Sequence, residues 1–147
     1  MIAVEILPRI WVGDAEIGKN HIFVKEKHIN FAVNCTHEKN IIRSYNLCFD
    51  KYIFVDNVSR ICNDLNEIVK KMYEVTHNFN HNFPNNVLIY CKDASSHSLI
   101  VMIAYLIKYA RVNASSAIFY LKGKVNVNLS EITKYEQILK KLPRYLN

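Results

Sequence analysis

The chain has 147 residues, half of them apolar, only 3 Gly and 3 Pro, and a formal net charge of +6. That length describes one domain with a core large enough to stand without disulfide or metal staples, and the composition excludes a low-complexity chain or a flexible linker. The longest apolar run, residues 99–107, is far too short to cross a bilayer.

The N-terminus has no basic region followed by an apolar stretch and a cleavage site. Cys35, Cys48, Cys62 and Cys91 have none of the paired spacing that staples small secreted domains. An intracellular, cytoplasmic setting is the expectation. The positive charge favours acidic partners, but the basic residues are scattered. Their densest groups, Lys25 with Lys27 and Lys140 with Lys141 and Arg144, fall on helix faces or ends, so nucleic acid is not the expected partner. Heavy use of Asn, Ile and Lys points to an AT-rich genome, such as that of a virus or a parasite.

In chain order, the alternation from Ile6 to Val12 predicts a strand. Asp14 is placed to cap a short helix over 15–19, and residues 20–28 give a second short helix. Ile29 to Cys35 and Tyr52 to Val55 are apolar runs of strand length. From Asn63, the spacing of Leu65, Ile68, Val69, Met72 and Val75 predicts an amphipathic helix that ends in the polar segment 77–86, where Pro84 and paired Asn mark a loop.

Val87 to Tyr90 then reads as a short central strand, and Leu99 to Tyr109, apolar nearly all round, as a helix buried beneath a sheet. Two further helices are expected over 114–122, capped by Asn113 or Ser115, and over 130–142, capped by Asn128 or Ser130. Strand, crossover helix and strand in this order imply an α/β fold with a mainly parallel sheet flanked by helices. The ligand site is then expected at the strand C-terminal ends.

The segment that carries chemistry is VLIYCKDASSHSLIVMIAYL, residues 87–106. A buried strand ends at Cys91, and a loop of small residues leads into a helix. The helix dipole and its unpaired N–H groups both point at the loop and favour an anion there. A thiol at the first loop position feels the same field, which favours the nucleophilic thiolate.

The segment Tyr90, Cys91, Lys92, Asp93, Ala94, Ser95, Ser96, His97, Ser98 resembles the signature of the dual-specificity branch of the protein tyrosine phosphatases, which reads His-Cys, five residues, Arg, then Ser or Thr. ILPRIWVG at 6–13, INFAVNCT at 29–36, FDKYIFVD at 49–56 and the helical stretch 104–124 resemble further parts of that family in the same order. The resemblance implies one dual-specificity phosphatase-like domain over 1–147, with no cofactor and no metal.

It also implies roles for individual residues. Cys91 would be the nucleophile and Asp56 the general acid and base, with Asp50 or Asp64 as alternatives for the acid. Ser98 would stabilise the thiolate, and Lys92, Asp93, Ala94, Ser95, Ser96 and His97 would form the phosphate-binding loop. Asp93 is repulsive to phosphate in such a loop, although the family tolerates acidic residues at this variable position, where the side chain can point outward.

Three positions depart from the family pattern: Tyr90 stands for His, Ala94 for Gly and His97 for Arg. The family arginine is planar, permanently charged and bidentate toward phosphoryl oxygens. An imidazole offers one N–H to a given oxygen and is only partly protonated near neutrality. Loss of such a transition-state donor costs on the order of 10²- to 10³-fold in rate.

The expectation is therefore a pseudophosphatase that binds a phosphoprotein or another protein partner. The alternatives are a weak phosphatase in which His97 partly replaces arginine, and an RNA 5′-phosphatase or RNA-binding relative suggested by charge alone. Trp11 on the first strand could pack inward or against a partner, as in a homodimer. The pairs His77 with His81 and Cys35 with His37 match no metal-ligand pattern.

Overall fold

A computed structural model of the chain describes residues 1–38, 47–50, 57–78 and 85–146. The first strand expected over residues 6–12 is instead a hairpin: β1 (Ala3–Leu7) pairs antiparallel with β2 (Ile10–Gly13). Arg9 turns the chain at φ 70°, and preceding Pro8 has no N–H to give to a ladder. The Arg9 N–H is taken by the Glu5 carboxylate at 3.1 Å. The turn lacks the glycine that usually announces one, so the apolar alternation runs through it unbroken.

Asp14 caps α1 (Ala15–Gly18) by accepting from the Ile17 N–H, and Asn20 caps α2 (His21–Glu26) by accepting from the Phe23 N–H. Strand β3 (Ile29–Asn34) follows. Strand β4 (Leu47–Asp50) pairs parallel with it, whereas the run expected over residues 52–55 lies outside the described residues. Helix α3 (Val58–Thr76) begins five residues before the apolar spacing suggests, because Asn57 caps it through the Arg60 N–H.

Strand β5 (Asn86–Tyr90) sits between β2 and β3 and is parallel to both, giving the order β1-β2-β5-β3-β4. Every residue of β5 is buried, as expected of a central strand covered on both faces. Helix α4 (His97–Tyr105) is buried along its length after His97 and continues as a π-helical turn, Leu106–Ala110, ending at left-handed Arg111. Helix α5 (Ala114–Lys122) is capped by Asn113. The helix expected over 130–142 is broken: α6 (Leu129–Thr133), capped by Asn128, stops before Tyr135, and α7 (Glu136–Lys141) runs into a 3₁₀ turn, Leu142–Arg144.

The period of two along a strand sends alternate residues to opposite faces. Val87, Ile89 and Cys91 face the larger core with α3, α4, α5 and α7, while Leu88 and Tyr90 face a smaller core with Ile17, Val24 and Ala32. Trp11 packs within this fold, edge-on to Phe23 with centroids 5.5 Å apart, and donates from Nε1 to Asn86 at 3.3 Å.

In the smaller core the Tyr90 ring lies directly over Gly18. A Cβ at position 18 would meet the ring at 2.4 Å, inside any normal contact, so a tyrosine here requires glycine there. Gly18→Ala should cost about 1–3 kcal/mol in urea unfolding, the usual range for overpacking. Adding Tyr90→Leu should recover part of it in a double-mutant cycle. Equal costs with and without the ring would show that the contact is not the source.

Candidate active site

Cys91 is the first residue beyond β5. Its N–H is taken by the Gly13 carbonyl at 3.2 Å, and on the other side the Cys35 N–H bonds the Tyr90 carbonyl at 2.8 Å. The loop therefore leaves the sheet from a strand end held on both sides. Cys91 and Ser98 are wholly buried, and Ala94, Ser95 and Ser96 nearly so, while Lys92 and Asp93 are exposed. Burial also pushes the Cys35 thiol well up, with nearby Cys91 adding to the rise.

Three of the expected residues converge on the Cys91 sulfur. The Cys91 Sγ lies 3.1 Å from the Ser98 hydroxyl and 4.0 Å from that of Ser96, and it donates to Asp93 Oδ1 at 3.5 Å. The contact with Ser98 crosses from the strand end to the first turn of α4. It is where a hydroxyl must sit to stabilise a thiolate or assist its departure.

Asp93 faces the loop. Although the residue is exposed, its carboxylate turns back over the loop: Oδ1 accepts from the Ser95 N–H at 3.0 Å and from the Ser96 hydroxyl at 3.1 Å as well as from Cys91. Partial burial raises the carboxyl, but these bonds outweigh it and hold it below the usual carboxylate range. Ser96, at the N-cap of α4, makes no side-chain cap bond, and its hydroxyl donates to Asp93. Ala94 sits at φ 62°, the left-handed region where a Cβ costs roughly 1–2 kcal/mol and where the resemblance places glycine.

His97 opens α4, half-buried, and its Nε2 lies 2.6 Å from the Tyr135 hydroxyl, with the two rings edge-to-face at 5.3 Å. Burial pushes the imidazole down from its ordinary value; Glu131 and Asp93 oppose this, and His37 adds to it. A second tie joins the loop to the same part of the chain, as the Asn128 N–H donates to the Ser95 carbonyl at 2.9 Å. Tyr135 and Asn128 thus both brace the loop. The capping signal of Asn128 was legible in the sequence, but nothing there marked Tyr135 as the neighbour of His97.

Asp56 lies outside the described residues. Of the two alternatives, Asp50 ends β4 and pairs in register with Asn34, and Asp64 lies inside α3, not on a loop. His77 stacks on Tyr73 at 3.8 Å, and His81 is outside the described residues. Among the described residues no three His, Cys, Asp or Glu side chains gather as metal ligands.

The arrangement is a thiol at the end of a central strand, a loop of small residues and the start of a buried helix, where backbone N–H groups and helix dipole favour an anion. The family model described as the dual specificity phosphatase catalytic domain matches residues 10–142. The fold is similar to the Cydia pomonella PTP-2 phosphatase, with TM-score 0.73 and 21% identity over 94% of this chain and 88% of that one. It is similar to human DUSP28, with TM-score 0.67 and 17% identity over 94% and 95%. A human tyrosine phosphatase-like serine/threonine/tyrosine-interacting protein gives TM-score 0.65 and 17% identity over 92% and 96%. No curated protein sequence matches the chain. With a strand-loop-helix site of this geometry and a family match over nearly its whole length, the chain belongs to the dual-specificity phosphatase family.

Proposed function

We propose that this protein is a catalytically impaired dual-specificity phosphatase, a pseudophosphatase, that holds phosphorylated protein segments through the Cys91 loop instead of turning them over. The observation that carries the reading is His97, which stands where the family has arginine and has its Nε2 engaged by the Tyr135 hydroxyl.

The family reaction needs a thiolate to attack phosphorus, an acid to protonate the leaving oxygen, and a fixed cation to hold the equatorial oxygens as charge spreads over them. Cys91 would attack, Asp56 would give and then take the proton, and Ser98, 3.1 Å from the sulfur, would ease departure of the thiolate when water releases phosphate. The cation is the missing part. Burial disfavours the charged imidazole of His97, and the Tyr135 bond turns its ring toward the segment between α6 and α7. What remains is a phosphate-shaped cradle without the group that lowers the barrier.

A second reading, a weak phosphatase using protonated His97, draws support from Asp93 and Glu131, whose charges pull the imidazole upward. Burial outweighs them. The two readings separate in aryl-phosphate hydrolysis from about pH 5 to about pH 8, across which histidine titrates. The wild-type rate should match that of Cys91→Ser throughout, and His97→Arg should gain Cys91-dependent turnover. Wild-type turnover that depends on Cys91 and rises as pH falls would establish the second reading instead.

The same shift has a stability consequence. An imidazole held below its unfolded value of about 6.5 binds its proton less readily in the fold than in the unfolded chain. Its contribution is full above that pH and is lost as pH falls through the lower folded value. The drop in Tm between about pH 7.5 and about pH 5 should therefore be smaller in His97→Gln than in wild type. An equal drop would place the pH sensitivity elsewhere.

A further inference from the structure

We propose that Asp93 is an internal stand-in for the phosphoryl group, and that the loop admits an external phosphate-type dianion only when this carboxylate turns out. The inference rests on the reading of the Cys91 loop as a phosphoryl-binding cradle. A phosphate held there would need N–H and hydroxyl donors around it and would lie over the sulfur. Asp93 Oδ1 already takes the Ser95 N–H, the Ser96 hydroxyl and the Cys91 thiol, at 3.0, 3.1 and 3.5 Å.

One oxygen thus consumes three donors of a loop only a few residues long. Ser96 matters most, because its single hydroxyl proton goes to Asp93 and a hydroxyl has no second proton to offer an incoming anion. An incoming dianion meets a carboxylate already among the donors it needs, and two like charges at that separation repel. The exposure of Asp93 supplies the way out. Rotation about its side-chain bonds moves the carboxylate into solvent without moving the backbone, and frees the three donors together.

The full chain, labelled with ¹⁵N, can be titrated with tungstate, a phosphate-shaped dianion, while the amide signals of residues 92–98 report both affinity and place. Asp93→Asn keeps an acceptor for the Ser95 N–H and the Ser96 hydroxyl but removes the charge. Asp93→Ala removes both, and the spectrum of each variant checks its fold. Both variants should bind at least tenfold more tightly than wild type, with shifts centred on the loop.

If wild type binds and both variants bind no more tightly, Asp93 is only a turn residue and the gate is overturned. If none of the three proteins binds, the gate falls together with the phosphoryl-binding reading. If Asp93→Asn alone binds more tightly, the charge is the barrier and the bonds to Ser95 and Ser96 are needed to shape the cradle, which upholds the gate.

Discussion

Strand β5 has no free edge. It is hydrogen-bonded on one side to β2 and on the other to β3, and the bonds continue past its end, from Cys91 to Gly13 and from Cys35 to Tyr90. All five of its residues are buried, so it cannot slide in register without exchanging the contents of the two cores. The position of the sulfur is therefore set by the sheet, and the loop's own interactions have only to arrange what surrounds it.

They arrange it differently from what the family signature calls for. A phosphoryl-transfer loop works by presenting positive potential to an incoming dianion. Here the Asp93 carboxylate accepts from the Cys91 thiol, and the residue where the family has arginine is a half-buried imidazole whose charged form burial disfavours. The strand-loop-helix scaffold and the Ser98 hydroxyl are in place, while a carboxylate is the charged side chain bonded to the sulfur. The ties from Asn128 to Ser95 and from Tyr135 to His97 hold this version of the loop against the C-terminal helices, so the change is built into the packing.

Much of the fold was legible in the sequence because its signals are local. Asp14, Asn113 and Asn128 each cap a helix through the N–H three residues on, and apolar spacing marks α3 and α4. The misses have equally local causes. The hairpin was hidden because Arg9 takes a left-handed turn that glycine usually marks; α6 and α7 read as one helix because nothing around Tyr135 breaks the pattern. At the site, the resemblance to the family signature points to Cys91, Ser98 and His97. It is silent on the direction of the Asp93 side chain and on a His97 to Tyr135 contact made across 38 residues.

His97 and Asp93 act on different terms of the reaction. A lost oxyanion donor is worth about 2.7–4 kcal/mol of transition-state stabilisation, felt in kcat. Two unit charges about 4 Å apart at an effective dielectric constant of about 20 interact by roughly 4 kcal/mol, which solvent screening reduces at a residue as exposed as Asp93; this is felt in binding. Introducing arginine at position 97 supplies the first and leaves the Asp93 carboxylate in place, still competing for the loop's donors. On the proposed reading, removing the Asp93 charge favours binding of a phosphoryl group and leaves the barrier to its transfer unchanged. A binding protein derived from this enzyme family needs the second property and not the first. On this reading the retained Asp93 makes binding conditional, with the loop opening to a ligand able to draw the carboxylate away.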